Sequence, residues 1–445
     1  MTSPMPMSAQ QDRLRVVIIC FACIVLDGYD LIVYGTVVPV LLKDDTWNLT
    51  PAEAGAIGSY TFIGMLVGTL AVGTITDLVG RRKVLLLCLV WLSAGMVLCA
   101  LAPTPTAFGL LRFLTGIGLG GLAPTTIALT LEFAHPRYRS LTNALMFCGY
   151  SVGGILAALI ALPTVPALGW RTMFWIGAAP VLLLAPLAFF LLPESPSFLA
   201  ARERRARSKP GTGTSRTADG AGGREDTAPG GTGRLEPLRA LFTQGNRRPT
   251  LLFGIGMAIG MLLIYGLNTW LAQIMTQGGY SFGSALLFVL ALNAGAILGT
   301  PVAGAIADRL GDRRVTVTMF LVAALCIFLL SLPLPISVRL LLVAIAGAGT
   351  IGTTIQVSSF IGKRYATENR ATALGWALSV GRLGAILGPA YGGRVIGSDW
   401  GFRANFYAFA IPALLGALAM WAIPRQAPVG SAETPAPSAE ADSAR

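Results

Sequence analysis

Two aspartates three residues apart, Asp27 and Asp30, lie in an otherwise apolar stretch, with Tyr34 four residues further on. Spacings of three and four put all three side chains on one helical face. In a helix beginning near residue 15, the carboxylates fall about twelve and fifteen residues in, which at about 1.5 Å per residue is near the centre of a bilayer. A charge at that depth costs on the order of 3 kcal/mol, so two in one helix need a purpose. Like charges this close oppose each other's ionisation, which would let the pair hold and release a proton. A structural pair neutralised by a neighbouring arginine accounts for the same residues, and both readings stay open.

Two arginines share this apolar setting. Arg112 falls a turn or so into the fourth apolar run and Arg382 about halfway along the eleventh, flanked by Gly381 and Gly384. A guanidinium is always protonated and offers a carboxylate two parallel hydrogen bonds, which suits an anionic cargo. Arg112 could equally be a permanent counter-ion for Asp27 or Asp30; Arg382 is read as the substrate anchor. In the seventh run, Asn268 could hydrogen-bond and Trp270 stack on a small aromatic, or Trp270 could belong to an interfacial belt. Tyr29, Asn293 and Gln356 are weaker polar candidates.

The elements that must position these residues follow from composition. Hydrophobic residues make up 54% of the 445 and charged residues only 12%, against about 25% charged in a soluble domain. Twelve runs match the roughly 20 residues that span a bilayer: 15–40, 55–77, 84–102, 107–132, 141–163, 172–192, 250–273, 283–307, 314–335, 337–359, 371–395 and 402–424. They do not alternate in polarity as barrel strands do. The first is expected to be a retained helix, because no small-residue cleavage site follows it.

The net charge of +12 does not indicate nucleic acid. Arg13 and Arg15, Arg81–Lys83, Arg137, Arg139, the 202–248 stretch, Arg309–Arg314, Lys363, Arg364 and Arg370 fall on alternate loops, the positive-inside pattern, which places both termini in the cytoplasm. All six cysteines lie inside expected spans, where they serve as small packing groups. The single histidine, His135, rules out a His-rich metal site. No GxxxxGK[ST] loop, Ser/His/Asp set or metal cluster occurs, so neither ATP drive, a cofactor nor enzymatic chemistry is expected.

A composition break divides the chain. Residues 208–234, rich in Gly, Thr and Ser, have almost nothing to bury and are expected to be disordered, as is the tail beyond 425. The resulting organisation is a cytoplasmic segment 1–14, a six-helix half 15–199, a linker 200–248, a second half 249–425 and a tail 426–445. The halves repeat each other: the run from Gly73 through Asp77, Gly80, Arg81 and Arg82 recurs as Gly304, Asp308, Gly311, Asp312 and Arg313, and the run at Arg139 recurs at Arg370. Positions 77 and 308, like 139 and 370, are 231 residues apart. Duplicated halves place a site between them near the midplane and open it alternately to each side, so this architecture implies transport.

The loop motif GTITDLVGRRK, its second copy and the PESP at 193–196 resemble the major facilitator superfamily across the chain apart from linker and tails. Within it, LDGYDLIVYGTVVP, YGLNTWL and GWALSVGRLGAILGP resemble the aromatic acid:proton symporter family. The resemblance implies an all-α fold of twelve transmembrane helices in two pseudo-symmetric halves. It also implies a monomer in a bacterial inner membrane, moving a small anionic substrate and protons without nucleic acid or cofactor. Substrate and proton handling would fall to Asp27, Asp30, Tyr34, Arg112, Asn268, Trp270 and Arg382. Gating would fall to Gly73, Asp77, Gly80, Arg81, Glu132, Arg139, Asp308, Gly311, Arg313 and Arg370, with Glu132 pairing with Arg81, Arg137 or Arg139. The rival is a drug exporter of the same fold: the GxxxGPxxGG run of such exporters occurs here at Gly384–Gly393, in the eleventh helix rather than the fifth.

Overall fold

The computed structural model describes residues 7–134, 139–207, 239, 241–243, 246–398 and 400–424, which form helices and short connections. The helices are α1 (Met7–Leu41), α2 (Pro51–Val79), α3 (Arg81–Leu101), α4 (Pro105–Phe133), α5 (Arg139–Leu168), α6 (Arg171–Ala178), α7 (Val181–Leu191) and α8 (Pro196–Arg207). After the linker come α9 (Arg247–Gln277), α10 (Phe282–Leu310), α11 (Asp312–Leu329), α12 (Ile336–Arg364), α13 (Thr367–Ile396) and α14 (Phe402–Trp421). Among the described residues, eleven spans are long and apolar enough to cross a membrane, α6 and α7 together making one of them. The twelfth is α11, whose first turn holds Asp312, Arg313 and Arg314 ahead of an apolar run.

Local chemistry sets the ends. Thr50 and Glu53 form a reciprocal capping box at the start of α2, and Thr104 accepts from the Ala107 amide at 3.2 Å where Pro105 opens α4, each satisfying amides that a helix start leaves unpaired. The sixth span breaks between Ala178 and Val181 because Pro180 has no N–H to continue the ladder. Helix α8 is polar, so no apolar pattern announces it. Several spans extend beyond the expected limits: α1 begins at Met7 rather than 15, and α9 at Arg247 rather than 250, whereas α11 ends at Leu329 and not 335. The expected disordered linker and tail, and His135, lie outside the described residues.

Duplication is visible in the packing. Pairings α1·α5, α2·α4, α3·α4 and α3·α6 in the first half recur as α9·α13, α10·α12, α11·α12 and α11·α14 in the second. The halves meet through α2·α13, α5·α10 and α1·α9. Leu182, Phe190 and Leu298 are exposed on the circumference, as suits helices whose solvent is lipid.

The contacts across the halves concentrate at the face remote from the chain termini. There α1 and α9 approach so closely that a Cβ on Gly35 would overlap the Asn268 carbonyl oxygen, and one on Gly393 of α13 would overlap that of Pro51. Ser59 of α2 donates to the Ile386 carbonyl at 2.6 Å.

Candidate functional site

On the terminal side of those seals, a cavity of about 220 Å³ lies between the halves. Its first wall comes from α1, α2, α4 and α5 and carries Asp27 and Tyr150; its second comes from α9, α12 and α13 and carries Tyr265, Thr354 and Arg382. The rest of the lining is apolar, with Phe62 and Met65 facing Ile264 and Ile351. Phe62 and Tyr265 bridge the halves with ring centroids 4.3 Å apart.

Asp27 and Arg382 are therefore brought to one cavity from opposite halves, although 355 positions separate them in the sequence. Asp27 is 4% exposed, and its Oδ1 has no hydrogen-bond partner among the described residues. Arg382 makes no salt bridge or hydrogen bond among them, so its fork of donors faces the cavity. Such an arrangement can hold a carboxylate at one wall and a proton at the other.

The expected stripe of Asp27, Asp30 and Tyr34 does not act as one surface. Asp30, fully buried, is paired with Arg112, whose guanidinium donates to its carboxylate at 2.7 Å and to its backbone carbonyl at 3.1 Å. Rings of Tyr34 and Phe174 flank that guanidinium, each centroid 6.0 Å away. The Tyr34 hydroxyl donates to the Ala54 carbonyl at 2.6 Å. Spacing put the three residues on one face, but α4 packs over Asp30 and Tyr34, so of the three only Asp27 lines the cavity. Neither Arg112, Asp30 nor Tyr34 lines the cavity.

Two residues of α9 are likewise placed elsewhere. Asn268 donates to the Ile264 carbonyl and accepts from the Asn293 amide at 3.0 Å. Trp270 is fully buried and donates to the Pro389 carbonyl at 2.8 Å, so it is neither a cavity residue nor an interfacial one. This gives the Gly384–Gly393 run a structural use: Pro389 and Gly393 join α13 to Trp270 and to Pro51, closing the remote face. Sequence reasoning did not single out Tyr150, Tyr265, Phe62 or Met65. Tyr265 lies one helical turn before Asn268, but an aromatic on an apolar helix carries no mark of which neighbour it will meet.

At the terminal face, Gly80 (φ +102°) and Gly311 (φ +88°) make the same turn in the two halves, a conformation that side chains disfavour. Arg81 pairs with Glu132, which also accepts from Ser195 of the PESP segment and from Ser197 just after it. The Arg82 amide donates to Glu194 at 3.0 Å. In the second half, Lys363 bridges Asp308 at 3.2 Å and Asp312 at 3.0 Å, while Arg313 donates to the Trp421 carbonyl. Arg370 is exposed in the first turn of α13. The side chains of Asp77 and Arg139, and the surroundings of Gly73, lie outside the described residues.

Twelve spans in two matching halves, sealed together at one face and parted around buried charges below it, define a secondary transporter rather than an enzyme. The family model of the Major Facilitator Superfamily matches residues 20–389 and 291–444. This chain belongs to that superfamily. It is 35% identical over 423 residues to the benzoate transport protein of Acinetobacter baylyi, covering 92% of this chain and 89% of that one. It is 36% identical over 413 residues to the gentisate transporter of Corynebacterium glutamicum, covering 92% and 87%. Among solved structures, the D-xylose-proton symporter superposes with a TM-score of 0.73 at 18% identity, covering 92% and 97%, a likeness of fold.

Proposed function

We propose that the protein imports an aromatic carboxylate with protons across a bacterial cytoplasmic membrane, by alternating access. The observation that carries this reading is Arg382, a guanidinium without a protein salt-bridge partner among the described residues, in a cavity otherwise walled largely by aromatic and aliphatic side chains. A desolvated guanidinium is costly unless an anion meets it for part of the cycle, and an apolar slot beside it suits a ring. Asp27 on the facing wall supplies a carboxylate that can take up and release the coupled proton. Its relatives named for benzoate and gentisate support the same cargo class.

Basic residues at the face bearing the termini, among them Arg81, Arg82, Lys83, Arg309 and Lys363, make that face cytoplasmic by the positive-inside rule. The cavity then lies on the cytoplasmic side of the seals, which corresponds to an inward-facing state. A single chain carries both halves, so a monomer suffices, with the 200–248 segment as a cytoplasmic connector.

The test is uptake of a panel of radiolabelled benzoates by cells or proteoliposomes, with and without a protonophore. Accumulation against a gradient that collapses with protonophore is expected. Uptake of no aromatic acid, or accumulation indifferent to the proton gradient, would overturn the reading.

A further inference from the structure

Arg382 accounts for a carboxylate at one wall of the cavity and the coupled proton for Asp27 at the other, which leaves Tyr150 on that wall unexplained. There Tyr150 reaches in from α5, and its hydroxyl is buried with no hydrogen-bond partner among the described residues. Asp27 Oδ1, on α1, is in the same condition. Both side chains line the same cavity, and α1 and α5 touch at this level, where a Cβ on Gly28, next to Asp27, would overlap the Tyr150 backbone carbonyl oxygen. The Tyr150 ring is held edge-on to Tyr265, centroids 6.2 Å apart, and Tyr265 packs on Phe62. A buried hydroxyl and a buried carboxylate oxygen are both costly to leave unsatisfied. One wall thus presents a donor and an acceptor together, the other a guanidinium, with apolar side chains between them.

We propose that Tyr150 and Asp27 form a subsite for a ring hydroxyl of the cargo, so that the cavity selects aromatic acids hydroxylated meta or para to the carboxylate. This rests on the reading that Arg382 takes the carboxylate. The phenol O–H donates to Asp27 Oδ1 and its oxygen accepts from the Tyr150 hydroxyl. Asp27 keeps an acceptor oxygen whether ionised or protonated, so the contact is available in both protonation states. A hydroxyl ortho to the carboxylate bonds to that carboxylate instead and stays at the Arg382 wall. A cargo held this way touches both halves at once. An apolar pocket alone rejects an added hydroxyl weakly, whereas a site built to bond one discriminates strongly against its absence.

The experiment is equilibrium binding of benzoate, benzamide and the three monohydroxybenzoates to purified full-length protein, unmodified and as Tyr150→Phe. In the unmodified protein 3- or 4-hydroxybenzoate is expected to bind roughly tenfold tighter than benzoate, and 2-hydroxybenzoate like benzoate. Tyr150→Phe should lose most of the preference, the ratio of 3- or 4-hydroxybenzoate to benzoate affinity falling toward one. Equal binding of benzoate and both the 3- and 4-hydroxy acids by the unmodified protein overturns the subsite without recourse to a variant, as does a preference that survives Tyr150→Phe. Benzoate and benzamide binding alike would instead remove the carboxylate reading beneath it.

Discussion

Arg112 of α4 holds Asp30 of α1 at both its carboxylate and its backbone carbonyl, whereas Asp27, one turn earlier, lines the cavity with an oxygen that has no partner among the described residues. Two aspartates of the same helix therefore have different surroundings. Asp30 ties α1 to α4 through Arg112, and Asp27 is left to the cavity.

The first prediction follows from that division. Removing one partner of a buried ion pair costs about 3–5 kcal/mol, because the other charge is left uncompensated. Asp30→Asn should therefore lower the thermal stability of the purified protein markedly. Asp27→Asn should insert and melt normally yet lose proton-driven accumulation and the dependence of uptake on external pH. Melting curves and uptake for the two variants check this; protonophore-sensitive accumulation by Asp27→Asn would contradict it.

Arg382 and Arg112 should respond differently to replacement by lysine. Lysine keeps the charge but not the bidentate fork, so Arg382→Lys is expected to weaken benzoate binding by about 1–3 kcal/mol with little change in stability. Arg112→Lys should instead reduce stability, since the guanidinium bonds two oxygens of Asp30. Calorimetric binding and melting of both variants separate the roles. Normal benzoate binding by Arg382→Lys would mean that the anion site lies elsewhere.

In the terminal-face network of the second half, Asp312 should matter more than Asp308. Asp312 is 8% exposed and meets both Lys363 and Ser359, whereas Asp308 is 76% exposed, where an ion pair contributes about 0–1 kcal/mol. Asp312→Asn is expected to change the rate of counterflow exchange several-fold with equilibrium affinity nearly constant, and Asp308→Ala to change neither. A tenfold loss of affinity in either variant would make the residue a ligand rather than part of a latch.

The remote seal can be wedged. Gly393→Leu would force α13 away from Pro51 and so disfavour the closed remote face. A cysteine introduced by Met65→Cys, in the cavity wall, should then react faster with a membrane-impermeant thiol reagent added from outside. Unchanged labelling would show that Gly393 is not part of the barrier.

The sequence by itself determined the number of spans and the duplication of the halves. It also determined the turns at Gly80 and Gly311. Each is a local matter of apolar run length, fixed spacing or backbone conformation. Arg382 stood out as well, because a midspan guanidinium has few uses in lipid, but only packing puts it in the wall of a cavity. Only the tertiary structure decided what the other polar residues do. Spacing placed Asp27, Asp30 and Tyr34 on one face, but helical periodicity cannot say that α4 would cover part of that face and leave Asp27 to the cavity. Trp270 and Asn268 look like ligands along α9, yet their partners, Pro389 and Asn293, lie 119 and 25 residues away. Tyr150 and Tyr265 became visible for the same reason. Nothing local distinguishes an aromatic residue in a lipid-facing helix from one that closes a cavity, because the difference lies in the partner that packing brings to it.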